Sequence, residues 1–202
     1  MTSTVTRPQQ ARALATRDRL LEASLLVLYQ RGYAATTTTA VCVQAGVSRG
    51  TQLHHFPSKA ELVRASIEHL ADKRAAEMRT ELTGLPPAGD RIDAALALLE
   101  RTFTSRLYSV ALEVWMAART DPELRAALAP LERRIGRELF ALTVEVLGVD
   151  SQNPDARQAV RLTLDLMRGL GVAALLTDDQ HRRRRLLAWH ADQLRRLLGQ
   201  PR

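Results

Sequence analysis

Apolar positions recur along this chain at intervals of three and four, punctuated by glycine, proline and capping residues, so the pattern predicts a succession of helices. Thr16 to Arg31 places Leu21, Leu25 and Leu28 on one stripe and stops at Gly32. A short second helix starts behind Thr37, whose hydroxyl suits an N-cap, and sets Val41 and Ala45 on one inward face. Gly46 ends it, because the sharp turn calls for a positive φ that glycine adopts without a Cβ penalty. Val47 plugs the turn, Ser48 caps a third helix running to His55, and Pro57 stops that helix. Ser58-Lys59-Ala60-Glu61 is a capping box, so a fourth helix follows at once and runs to about Thr83, where Gly84-Leu85-Pro86-Pro87 ends it.

The remaining helices follow the same rules. One runs from about Asp90 with Ile92, Leu96, Leu99 and Phe103 at helical spacing, and a short one carries Leu107, Val110, Val114, Trp115 and Met116. Asp121-Pro122-Glu123 opens a long helix that ends at Gly148, with Pro130 expected to kink or divide it. Residues 155–176 are apolar on most faces toward their C-terminal end, and Gly169 and Gly171 would allow another helix to come close. Their partner, about Asp178 to Leu198, shows Leu187, Ala191, Leu194 and Leu198 on one stripe. Two such pairs could form a four-helix bundle between subunits, placing Leu166, Leu170, Val172, Leu187, Leu194 and Leu198 at a homodimer interface; alternatively both helices cap the monomer's own core.

Two short helices joined by a glycine turn, with a compact core of their own, are the layout of a helix-turn-helix DNA reader. The third helix carries Arg49, Thr51, Gln52, His54 and His55, a rod dense in donors and small hydroxyls that suits a major groove. The stretch LLEASLLVLYQRGYAATTTTAVCVQAGVSRGTQLHHFPSKAEL resembles the TetR-type transcriptional regulators closely over about residues 16 to 65. It follows that family's first helix, glycine-aromatic junction, threonine-started second helix, alanine-glycine-valine-serine turn, recognition helix and histidine-phenylalanine exit. Gln52 stands where the family usually has leucine, Leu53 where it usually has a groove-facing tyrosine, and Leu28 where phenylalanine is common in the first helix.

The site follows residue by residue. Thr38 and Thr39 meet a phosphate at the start of the second helix, and Arg49 either reads a guanine edge or clamps a phosphate. Gly50 permits close approach to the duplex, Thr51 offers hydroxyl or methyl, and Leu53 touches a thymine methyl. His54 and His55 reach backbone or base acceptors, and Lys59 resembles the family's phosphate-binding lysine. The resemblance also implies that the helices beyond the reader bind a small-molecule effector. Phe103, Tyr108, Trp115, Met116 and Phe140 could line an apolar pocket with Thr102, Arg106 and Glu113 as polar tips, or could be plain core.

Composition fits an all-α protein: aromatics are 4%, strand-favouring runs are absent, and 46% hydrophobic residues can bury a real core. The net charge of +7 suits a polyanionic partner, and residues 1–60 hold seven basic side chains against two acidic ones; an arginine-rich composition would explain the charge equally well. The single cysteine, Cys42, excludes an internal disulfide. A metal site built on Cys42, His54 and His55 is disfavoured, because adjacent helical histidines diverge by ~100°. No catalytic fingerprint is present, and neither a metal nor any other cofactor is expected. With no signal core, membrane-length apolar run or lipidation motif, the expectation is a soluble, cytoplasmic protein without a membrane partner. The run Arg182 to Arg185 reads as the solvated face of the last helix.

The expected organisation is a flexible basic arm over residues 1–15, a helix-turn-helix domain over 16–62, and a helical ligand-binding and dimerisation domain over 63–202. The expected function is a repressor that binds a palindromic double-stranded operator as a homodimer and is released by a small molecule. The alternative is a regulator of the same fold without an effector, controlled by a protein partner or acting as an activator.

Overall fold

The computed structural model describes residues 6–84, 91–177 and 179–198, with side chains from Gln10 onward. Among these residues the chain forms nine helices: α1 (Thr6–Ala35), α2 (Thr38–Ala45), α3 (Arg49–His55), α4 (Lys59–Leu82), α5 (Arg91–Phe103), α6 (Arg106–Ala118), α7 (Pro122–Leu147), α8 (Pro154–Ala173) and α9 (Gln180–Leu198). None is long and apolar enough to cross a membrane.

Local chemistry accounts for most boundaries. Asn153 caps α8 by accepting from the amides of Asp155 and Ala156 at 2.9 and 3.3 Å. Asp121 caps α7 through the Leu124 amide at 2.9 Å, and Gly148, with φ 63°, follows its last turn. Arg91 places its guanidinium on the carbonyls of Val146 and Glu145 at 2.9 and 2.8 Å, satisfying acceptors that the end of α7 leaves open. Pro130 lies inside an undivided α7, so losing one amide donor does not split a helix of 26 residues.

The first helix starts earlier than its apolar stripe suggests. It is helical from Thr6, although residues 1–15 read as a flexible arm, because residues up to Ala15 only extend a helix anchored further on, which requires no new nucleation. Residues 1–5 and the side chain of Arg7 lie outside the described residues, as do the Leu85-Pro86-Pro87 stop, Asp90 and Asp178.

The chain forms two compact units, each built from two stretches. Met1–Ala71 and Val110–Leu131 make one; Asp72–Ser109 and Glu132–Arg202 make the other. In the first unit α1 packs on α2, and Leu20, Leu21, Ala23, Val41, Phe56, Leu62 and Ala65 form a buried cluster with Ala45 and Val47 against it. In the second, α5 packs on both α8 and α9, burying Ile92, Leu96 and Leu99 with Val160, Leu164, Met167, Ala191 and Leu194.

Gly171 is where the close approach in α8 occurs, since a Cβ there would overlap the Phe103 carbonyl oxygen and the Tyr108 ring. Gly169 faces open space. Arg183 is the exception in the 182–185 run read as a solvated face: it is buried, and its guanidinium lies 2.7 Å from Glu100 and is also paired with Asp179. Those hydrogen bonds, Glu100 first, hold its pKa above the ordinary arginine value.

Candidate nucleic-acid interface

The turn between α2 and α3 is set by three caps. Thr37 accepts the Ala40 amide at 3.1 Å, and Gly46, with φ 63° and ψ 39°, returns its amide toward the carbonyls of Cys42 and Val43. Ser48 then accepts the Thr51 amide at 3.1 Å to start α3. A helix of seven residues is too short to be stable alone, so its hold on the core decides its position.

That hold comes from Gln52 and Phe56. Gln52 is 0% exposed, and its Nε2 donates to the Phe56 carbonyl at 2.7 Å. The Phe56 ring sits in the cluster of the first unit, with the Arg17 guanidinium 5.3 Å from its centroid. With Gln52 turned inward, Arg49, Gly50, Leu53 and His54 are exposed on the other faces of α3.

The remaining sequence candidates sit as follows. Thr39 is exposed and Thr38 half-buried at the first turn of α2. Thr51 is half-buried, and its hydroxyl is 2.9 Å from that of Ser48, so it is engaged at the cap. His55 is half-buried, and burial, then His54 and Arg17, lower its pKa, which favours the neutral ring. Lys59 does not extend freely: its Nζ donates to the Tyr33 carbonyl at 2.8 Å and lies 3.8 Å from the Tyr33 ring centroid. Burial lowers its pKa, with Asp121 opposing.

Tyr33 is the residue that the sequence pattern did not single out. Its amide donates to Glu113 in α6 at 2.5 Å, and its hydroxyl donates to Asp121, the cap of α7, at 3.1 Å. Burial and that hydrogen bond push its pKa up to about 12. The preceding Gly32, at φ 75° and ψ 174°, lets the chain leave the helical path with the Glu113 carboxylate against its Cα. The glycine-aromatic pair was visible; its partners some eighty residues away were not.

The five effector candidates do not share one environment. Phe103 and Tyr108 are buried edge to face, with centroids 5.0 Å apart, and the Tyr108 hydroxyl donates to the Arg168 carbonyl at 3.3 Å. Phe140 is half-buried beneath Arg157 and Arg161. Trp115 and Met116 belong to the first compact unit, where Trp115 is half-buried and Met116 is exposed. No cluster of metal-ligating side chains occurs among the described residues.

Of the six interface candidates, Leu170, Leu187 and Leu194 are buried within the single chain, Leu166 and Leu198 are half-buried, and Val172 is exposed. The large apolar side chains facing outward on α8 and α9 also include Leu162, Trp189 and Leu197, at 56%, 64% and 55% exposure.

Comparison with known proteins agrees with this architecture. The family model for bacterial regulatory proteins of the tetR family matches residues 20–66, and that for the C-terminal part of BetI-type transcriptional repressors matches residues 88–199. The HTH-type transcriptional regulator CymR of Pseudomonas putida is 40% identical over 119 residues, which are 59% of this chain and 59% of that protein. The chain thus covers about three-fifths of the length of the curated relatives it matches. A transcriptional regulator from Rhodococcus sp. Rha1 shares the fold at 23% identity and a TM-score of 0.67, over 91% of this chain and 96% of that one. A regulator from Saccharomonospora viridis in complex with choline does so at 20% identity and a TM-score of 0.64, over 89% and 95%. These relatives are regulators rather than enzymes.

Proposed function

Since the chain belongs to the TetR family of transcriptional regulators, we propose that it is a repressor that binds a palindromic operator as a homodimer and leaves it when a small molecule binds. The observation carrying this reading is the α3 rod: its inward face is tied down by Gln52 and Phe56, while Arg49, Gly50, Leu53 and His54 point outward as a pre-ordered set. Arg49 takes a guanine edge, Leu53 and the Thr51 methyl take thymine methyls, and His54 and His55 take acceptors. Thr38 and Thr39 hold phosphate at the first turn of α2. Lys59 holds the Tyr33 junction in the free protein, and a phosphate would have to draw it away from there.

One seven-residue helix buries too little surface for operator-grade affinity, which favours a twofold pair reading two half-sites about 34 to 36 Å apart. The exposed apolar residues of α8 and α9 support that pairing, because the same patch on a second copy would bury them in an isologous contact. The effector is assigned to the region matching the BetI-type repressor C-terminal part, and the choline-bound neighbour of the same fold supports it. Selection of bound duplexes from a random pool, followed by a salt titration of the winner, tests the reading. A palindromic consensus retained at physiological salt is expected. Binding without consensus that disappears with salt would reduce the surface to phosphate contacts alone and defeat the proposal.

A further inference from the structure

The cleft between α7 and α8 holds a charge cluster that neither the DNA-reading surface nor the apolar core requires. Arg133, Gly136, Arg137 and Phe140 line it from α7, and Arg157 and Arg161 from α8, around a volume of about 550 Å³. Four guanidinium groups face one space with no carboxylate in its lining, and none of the four has an ion-pair partner among the described residues. Elsewhere in this arginine-rich chain Arg74, Arg134, Arg183 and Arg195 are each held by at least one carboxylate. All four arginines are exposed, so solvent screens their mutual repulsion, while their summed positive charge attracts a multiply charged anion.

Two features pre-order the cleft. The Arg157 and Arg161 guanidiniums lie 5.4 and 6.0 Å from the Phe140 ring centroid, within cation–π range, and Arg157 also donates to the Ser151 carbonyl at 3.3 Å. Gly136 stands in the interior of α7, where a Cβ would meet nothing within 4 Å. Packing therefore does not demand glycine, and glycine weakens a helix relative to alanine. Its effect is to leave bare backbone in the wall of the cleft, where a ligand can approach closely.

We propose that this cleft is a binding site for a small phosphate-bearing anion carrying at least two negative charges. Guanidinium forks match phosphate oxygens in bidentate fashion, and four of them converge here. The groove is open to solvent, and its volume lies within the range of small-molecule sites, well above what inorganic phosphate fills. A nucleotide and an inorganic polyphosphate present the same recognising chemistry.

Calorimetric titration of the full chain with ATP, and separately with inorganic tripolyphosphate, at physiological ionic strength tests the assignment. One anion per chain is expected. The affinity falls at least tenfold in the double variants R157Q/R161Q and R133Q/R137Q, and in Gly136→Leu, whose side chain occupies the cleft. Arg125→Gln, which removes an exposed arginine elsewhere on α7, leaves it unchanged. Tighter binding of ATP identifies a nucleotide as the source and equal binding a simpler phosphate; both support the site. Absence of saturable binding, or binding that survives both arginine double variants with their helicity intact, overturns it, the latter by placing the anion elsewhere on the protein.

Discussion

Ser24 is fully buried in α1, and its Oγ has no hydrogen-bond partner among the described residues. A buried hydroxyl without a partner loses its hydration uncompensated, so Ser24→Ala raises stability by about 1 kcal/mol, read as a higher urea midpoint at constant slope. A lower midpoint would mean that the hydroxyl is bonded after all. Arg49→Ala removes the outward group best suited to a base edge. It costs roughly 1 to 3 kcal/mol on the selected duplex and relaxes one base pair of the consensus, by fluorescence anisotropy. An equal loss on scrambled DNA would reassign Arg49 to phosphate. In α9, His190 Nε2 lies 2.8 Å from Thr163 Oγ1 and donates to it, because the threonine proton is already given to the Ala159 carbonyl at 2.8 Å. Burial lowers the pKa of His190, so the folded chain binds its proton less readily than the unfolded chain. The stability this contributes is present above about pH 6.5 and is lost as pH falls below that value. Thermal midpoints from pH 8 to 5 should show the loss, and His190→Gln should flatten it.

The two glycines on either side of α2 differ in both backbone strain and steric room. Gly46 has φ 63° and open space around a would-be Cβ, so Gly46→Ala costs only the left-handed conformation, roughly 1 to 2 kcal/mol. Gly32 has φ 75° with ψ 174°, and its Cβ would lie 2.5 Å from the Glu113 carboxylate that accepts the Tyr33 amide. Gly32→Ala therefore costs more than Gly46→Ala, and adding Glu113→Ala restores part of the difference. Calorimetric unfolding of the four chains measures this. Equal losses at the two glycines would dismiss Glu113 as a structural partner of the junction. The comparison also explains why α2 and α3 stay in place despite their length: the junction before them and the Ser58 cap after them are both fixed.

For the whole molecule, the proposed homodimer is the property on which operator affinity would depend. Trp189 and Leu162 are mostly exposed and contribute little to the monomer's core, so replacing them tests an interface without removing core packing. Trp189→Arg in combination with Leu162→Arg yields a monomer in sedimentation analysis, with helicity retained and operator affinity strongly reduced. A dimer that survives the pair would move the interface off this face. The chain passes between its two compact units within α4, within α6 and within α7, so neither unit is a single continuous segment.

The helical succession, the Thr37, Gly46 and Ser48 turn and the family were legible from residue order, because helical period and capping depend on side chains within four positions of one another. Residue order also picked out positions of α3, among them Arg49, Gly50, Leu53 and His54, that the fold leaves exposed. What only the tertiary structure decided is which polar groups turn inward and which partners they find. Gln52 meets Phe56 within the buried end of α3, Arg183 meets Glu100, Tyr33 meets Glu113 and Asp121, and Phe140 lies beneath two arginines of α8. Except for Gln52, each pairing joins residues tens of positions apart, and no local periodicity encodes it. The same holds for α8 and α9, whose apolar stripes are plain in the sequence, while the packing of α5 decides which leucines become core and which remain at the surface.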